Sequence, residues 1–306
     1  GEAQEEVFLE TYIFADDPTG RRVAAALCAA ARRGAKVHLT LDGFGSKDMP
    51  AAITRELHEA GVRLQVFRKK ISPWTLRRNR LRRLHRKLVV VDRRVGFVGG
   101  INIIDDMHTP GHVPPRFDYA VQVEGPLVRP MHDAASRLWR WLTWSSLHKR
   151  WPLRRDVPID DASIGEQRAA LVVRDNVRHR ADIEDAYLAA IEAARSEILI
   201  ANAYFLPGMR FRHALAAAAR RGVAVTLLLQ GRVEYLLLHY ASRALYGSLL
   251  QAGVEIREYH RSFLHAKVAV IDGHWATVGS SNIDPFSLLL AREANVVVED
   301  RKFATE

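Results

Sequence analysis

The 306-residue chain has one cysteine, Cys28, so no disulfide forms within it. Set in the Ala-rich stretch from Ala24 to Arg33, that thiol reads as a small packing residue. No Cys/His cluster has zinc spacing and no carboxylate cluster is visible, so neither a metal nor any other cofactor is expected. No uninterrupted apolar run reaches the ~18 residues of a spanning helix, and no secretory signal opens the chain. Because it starts Gly1-Glu2-Ala3 without methionine, it reads as a piece of a longer protein, and the missing leader carries little weight. Acids are also in short supply: 35 Asp and Glu stand against 45 Lys and Arg, a net charge of +10. That excess points to an anionic partner, a membrane surface or a nucleic acid. The length suits two domains, each burying its own core.

One phrase occurs twice. His85-Arg86-Lys87-Leu88-Val89-Val90-Val91-Asp92 and His265-Ala266-Lys267-Val268-Ala269-Val270-Ile271-Asp272 are both H-x-K-x-x-x-x-D. After six further residues each reaches a turn of small residues, Gly99-Gly100-Ile101-Asn102 or Gly279-Ser280-Ser281-Asn282. The apolar, β-branched run after each Lys predicts a buried strand. Alternation along a strand then puts His85 with Lys87, and His265 with Lys267, on one face. An imidazole beside an ammonium suits a phosphate: the Lys neutralises it, and the His attacks or moves a proton near neutral pH. Gly100 and Ser280 in the turns, with the amides of Asn102 and Asn282, are candidate phosphate donors. Asp92 and Asp272 lie at an odd offset from the Lys, where ending the strand and bonding to backbone is the stronger reading.

The repeat extends beyond the phrase. An Ala-rich helix, a Gly stop and an apolar strand occur at Ala24–Gly43 and again, with a shift of 188, at the stretch ending Leu229-Gln230-Gly231. Ala60-Gly61-Val62 matches Ala252-Gly253-Val254 at a shift of 192, and the histidines at 180. The order is kept while loop lengths differ. Serial β-α-β units predict two homologous α/β halves with largely parallel sheets, related by a pseudo-two-fold axis with the active site between them. A polar linker from Asp156 to Gln167 would join them.

The paired phrases, with G-G-x-N or G-S-x-N after them, resemble the phospholipase D superfamily. The stretches Tyr12-Ile13-Phe14-Ala15-Asp16-Asp17, Asp42-Gly43-Phe44-Gly45-Ser46, Val123-Glu124-Gly125-Pro126, Gln230-Gly231-Arg232 and Ser280-Ser281-Asn282-Ile283-Asp284-Pro285 are similar to bacterial cardiolipin synthases, especially the branch without transmembrane helices. The similarity covers essentially the whole chain. It implies two phospholipase D-like α/β/α halves with mostly parallel mixed sheets, over residues 1–157 and 158–306. It also implies a catalytic role for the paired His-Lys-Asp phrases, peripheral attachment to the bacterial inner membrane, and transfer of a phosphatidyl group to phosphatidylglycerol through a phosphohistidine. By resemblance His85 is the nucleophile and His265 the acid/base. A phospholipase D-type phosphodiesterase or nuclease would use the same two histidines.

Each histidine needs a carboxylate to fix its tautomer. Glu293 opens the alternating segment Ala294–Val298 and Asp118 opens Tyr119–Val123, so equivalent placement points to Glu293 for His265 and Asp118 for His85, the alternative for either being a solvated charge at a strand end. From Arg68 to Lys87 there are ten Lys or Arg and no acid, a run suited to anionic head groups or to a phosphate backbone. Leu138-Trp139-Arg140-Trp141-Leu142-Thr143-Trp144, continuing to Arg155, has the composition of a membrane interface or of a Trp-lined core helix. With the resemblance included, an anionic phospholipid is favoured over nucleic acid.

Overall fold

A computed structural model describes residues 2–68, 82–145, 162–233 and 236–306. In chain order its first elements are β1 (Glu6–Thr11), α1 (Pro18–Arg32), β2 (Lys36–Asp42), α2 (Ala51–Glu59), β3 (Arg63–Phe67), β4 (Lys87–Val91), β5 (Val95–Gly99), β6 (Arg116–Phe117), β7 (Ala120–Glu124) and α3 (Val128–Ser145). There follow β8 (Arg168–Arg174), α4 (Asp182–Ala193), β9 (Glu197–Asn202), α5 (Met209–Arg220), β10 (Ala224–Gln230), α6 (Leu236–Gln251), β11 (Glu255–Tyr259), β12 (Phe263–Leu264), β13 (Lys267–Ile271), β14 (Trp275–Gly279), α7 (Pro285–Leu289), β15 (Glu293–Glu299) and α8 (Arg301–Thr305). Two compact units result. One holds residues 1–98, 102–105 and 121–166; the other holds 99–101, 106–120 and 167–306. The stretch Asp106–Ala120 therefore belongs with the second unit, although it lies within the range 1–157 expected for the first half.

In the first unit a sheet of order β3-β2-β1-β4-β5-β7 is built around β1. Helix α1 starts where Asp17 accepts from Gly20 N at 2.8 Å with Pro18 behind it, and stops where Gly34 takes φ 99°. Alternation decides the two faces. Val7, Leu9, Val37, Leu39 and Leu41 pack with Leu27, Cys28, Ile53 and Leu57 of α1 and α2. The opposite face carries Phe8 stacked on His38, which meets Trp139 of α3 at 4.7 Å. Trp139 is thus a core residue, whereas Trp141 and Trp144 of the same helix are exposed.

Beneath α3 lies a buried ionic layer. Glu6 accepts from Arg93 Nη2 at 2.9 Å and lies 3.1 Å from His132 Nε2, while Arg86 donates to both oxygens of Glu10. Arg86 is the variable residue of H-x-K, so alternation sends it away from the His and Lys to the α3 face. Ala266 stands there in the second copy and needs no partner.

The second unit has a sheet of order β11-β10-β9-β13-β14-β15-β8. One face, with Ile198, Ile200, Val225, Leu227 and Leu229, is covered by Ile183, Tyr187, Phe211, Leu215 and Leu249 of α4, α5 and α6. The expectation of mostly parallel sheets needs correction. Only β9-β10 and β10-β11 are parallel here, whereas β9-β13, β13-β14, β14-β15 and β15-β8 are antiparallel. For β13-β14, and for β4-β5 in the first unit, the reason is local. Asp92 and Arg93 have φ of 50° and 56°, Asp272 and Gly273 have 51° and 61°. Each pair closes a tight hairpin, and a connection that short cannot return a strand in parallel. Among the described residues, no helix is long and apolar enough to cross a membrane.

Candidate active site

In the second unit His265 sits between β12 and β13 and is 8% exposed. Its backbone N donates to Phe117 O at 2.8 Å, because β12 pairs in parallel with β6. The residue that follows β6 is Asp118, whose Oδ2 comes to 2.6 Å from His265 Nδ1. Asp118 therefore partners His265, which overturns the expected assignment to His85. Equivalent placement within each half failed because β6 crosses over to pair with a strand 147 residues away.

Burial pushes the Asp118 carboxyl up, but the charges of Lys267 and His265 and the hydrogen bond outweigh it, so its pKa is lowered and it stays ionised. A carboxylate only accepts, so Nδ1 carries the hydrogen and Nε2 is left to gain or lose a proton. Lys267 Nζ donates to His265 O, lies 2.8 Å from His265 Nδ1 and 3.6 Å from Asp118 Oδ2, and is fully buried.

The turn residues differ from the expected donor set. Ser280 Oγ donates to Glu293 at 2.5 Å and accepts from Ala294 N at 3.0 Å, so its hydrogen serves a carboxylate rather than a phosphate. Glu293, at the start of β15, is fully buried. Gly100 donates its N–H to Tyr119 O at 2.9 Å, which removes it too as a phosphate donor. It is glycine for a steric reason: a Cβ there would overlap the Asp118 carboxylate. The asymmetry between Gly100 and Ser280 is thus the packing record of a shorter acid placed differently. Asn282 is buried at 3% exposure.

In the first unit Lys87 Nζ donates to His85 O at 2.6 Å, and the half-buried His85 ring meets the Tyr12 ring at 5.0 Å. Lys87 also lies over Tyr12, 5.7 Å from its centroid. Asn102 Oδ1 accepts from Ile13 N at 3.1 Å, which turns its NH2 to other use. The second unit repeats the aromatic wall with Tyr204, 6.4 Å from the His265 ring. Neither tyrosine was among the residues read from sequence as site candidates. The shift of 192 that aligns Ala60 with Ala252 also aligns Tyr12 with Tyr204, and would have found both.

Asp92 and Asp272 hold strands rather than substrate. Asp92 accepts from Gln4, Glu5 and Glu6 N at 2.8 to 2.9 Å; Asp272 accepts from Arg195, Ser196 and Glu197 N at 2.8 to 2.9 Å and from Ser196 Oγ at 2.7 Å. Five residues along a strand place each roughly 16 Å from its Lys. Despite partial burial, these donors hold both carboxyls below the usual range. The catalytic reading of the third motif residue is corrected accordingly: it fixes the start of β1 or β9. Much of the basic run and of the Trp-rich segment lies at residues 69–81 and 146–161, outside the described residues.

The family model for "Cardiolipin synthase, PLD-like domain" matches residues 1–109 and 187–306. Cardiolipin synthase B of Escherichia coli (strain K12) is 45% identical over 304 residues, which cover 99% of this chain and 73% of that protein. The probable cardiolipin synthase of Bacillus subtilis (strain 168) is 30% identical over 302 residues, covering 97% and 59%. Among solved structures, phosphatidylserine synthase of Haemophilus influenzae Rd KW20 matches with a TM-score of 0.68 at 11% identity, over 98% of this chain and 78% of that one, a likeness of fold.

Proposed function

This chain belongs to the phospholipase D-like cardiolipin synthase family and is a phosphatidyltransferase of that superfamily, and from that premise we propose that it transfers a phosphatidyl group to phosphatidylglycerol at a membrane surface. The observation that carries the reading is the Asp118–His265 pair beside buried Lys267. A carboxylate on Nδ1 leaves Nε2 as a poised acid/base, and the Lys charge favours an anionic phosphodiester.

In the proposed sequence His85 attacks phosphorus. A P–N bond forms as the P–O bond to the donor's alcohol breaks, and His265 Nε2 supplies the proton to that alcohol. The acceptor hydroxyl then returns a proton to Nε2, its oxygen bonds to phosphorus, and the P–N bond breaks. Lys87, Lys267 and the Asn102 and Asn282 amides stabilise the phosphoryl oxygens, the role a metal plays elsewhere. The net charge of +10 supports a peripheral position on an anionic inner membrane.

The test is mass analysis of lipids after incubation with phosphatidylglycerol vesicles, with single-stranded DNA in parallel. Cardiolipin and free glycerol are the expected products. Cleaved DNA with untouched lipid would move the assignment to a nuclease.

A further inference from the structure

At the end of β10 the two halves differ. The shift of 188 aligns Gln230 with Asp42, and the backbone around them is the same: Gly231 N donates to Tyr259 O at 3.0 Å as Gly43 N does to Phe67 O at 2.8 Å. Asp42 is wholly engaged, accepting from Phe44, Gly45 and Leu84 N at 2.8 to 3.1 Å, and so braces the approach to His85. Gln230 is 9% exposed, yet neither its Oε1 nor its Nε2 has a hydrogen-bond partner. Both atoms of a buried amide are thus held ready without an internal use, a costly state that a ligand would relieve.

The space beside Gln230 is an open pocket within the second unit, lined by Tyr204, Leu229, Arg232, His239 and Ser242. Arg232 is anchored through Nε to His260 O at 3.0 Å, and Tyr204 is the residue whose ring faces His265. The pocket therefore adjoins the acid/base histidine. No carboxylate lines it among the described residues.

We propose that this pocket binds the acceptor alcohol's head group, a neutral polyol of glycerol type, and that Gln230 sets its specificity. The proposal rests on the phosphatidyl-transfer reading above. A hydroxyl both gives and takes a hydrogen bond, which matches an amide that offers one acceptor and one NH2. An ammonium head group would meet the Arg232 guanidinium with no acid to pair with. A carboxylate would meet the amide oxygen. In the transfer step the bound hydroxyl loses its proton to His265 Nε2 as its oxygen bonds to phosphorus and the P–N bond to the nucleophilic histidine breaks. Gln230 is a specificity residue that touches the acceptor.

Three measurements on the protein test this. Saturation-transfer NMR with free glycerol should give signal on the wild type that is lost in Gln230→Met and weakened in Gln230→Asn, both checked for native circular dichroism. With a phosphatidylglycerol donor, Gln230→Met should lower the ratio of transfer to hydrolysis about ten- to hundredfold, as expected when a buried polar partner is lost. Gln230→Glu should turn preference from glycerol towards ethanolamine. Equal glycerol signal on the wild type and both variants, or an unchanged transfer ratio, overturns the proposal. A wild type that makes no transfer product would instead overturn the transfer reading, and the glycerol signal would still decide the pocket.

Discussion

Replacing Asp118 by Asn keeps the size of the side chain and removes its charge. Three consequences follow from the geometry. The amide can turn its NH2 toward His265 Nδ1, which then accepts, leaving Nε2 protonated and unable to act as a base. The 2.6 Å bond loses its ionised acceptor. Lys267, 3.6 Å away and fully buried, loses a counter-charge whose attraction at an effective dielectric near 20 is about 5 kcal/mol. A tautomer error of this kind costs roughly 10⁴-fold in kcat in a Ser-His-Asp triad, so a fall of about 10³- to 10⁴-fold is expected here. Breaking the buried ion pair should also destabilise the fold by about 3–5 kcal/mol. Cardiolipin formation from phosphatidylglycerol is the assay, with kcat normalised to the native fraction from circular dichroism. An activated aryl phosphodiester, whose leaving group needs little protonation, should recover much of the loss in the first half-reaction. Gly100→Ala supplies an independent approach, since the added methyl overlaps the Asp118 carboxylate and should reproduce part of the defect without replacing a titratable residue. An Asp118→Asn protein with native dichroism and turnover within threefold of wild type would refute the orienting role.

Four further outcomes are expected. Asp284, which caps α7 through Phe286 and Ser287 N, is pushed by burial from 3.8 up to about 6. The folded state then binds the Asp284 proton more tightly, so this group's contribution to stability is fullest below about pH 3.8, falls as pH rises to about 6 and stays lower by about 3 kcal/mol above. Asp284→Asn keeps the cap and should raise Tm at pH 7.5, with the gain shrinking toward pH 4. Glu10→Ala should cost about 3–5 kcal/mol in urea unfolding by stranding buried Arg86, whereas Glu10→Leu with Arg86→Met should be near neutral. Turnover should persist in excess chelator; loss restored specifically by magnesium or calcium would count against charge stabilisation by Lys and Asn. Acid-quench trapping of labelled lipid should fail in His85→Asn and succeed in His265→Asn with an aryl phosphodiester, and the reverse pattern would exchange their roles.

What the sequence by itself determined is whatever local periodicity and spacing control. The duplicated H-x-K phrase starts a strand in both halves, because β-branched runs favour strands and alternation groups His with Lys. The Ala-rich helices stop at Gly34 and Gly222, both left-handed at φ 99° and 90°, where glycine avoids the Cβ penalty. Tertiary structure decided the rest, because it brings together residues far apart in the chain. Asp118 reaches His265 only through the pairing of β6 with β12, and that arrival, invisible to any period within one half, is what makes position 100 a glycine. Asp92 and Asp272 end their strands and bond to backbone as their odd offset from the Lys indicates, but which N–H groups they meet, those that open β1 and β9, only the fold decides. Asp42 and Gln230 occupy matching places, yet the first is saturated by its own loop together with Leu84 N and the second is left unbonded, a difference set by which backbone donors the surrounding fold delivers.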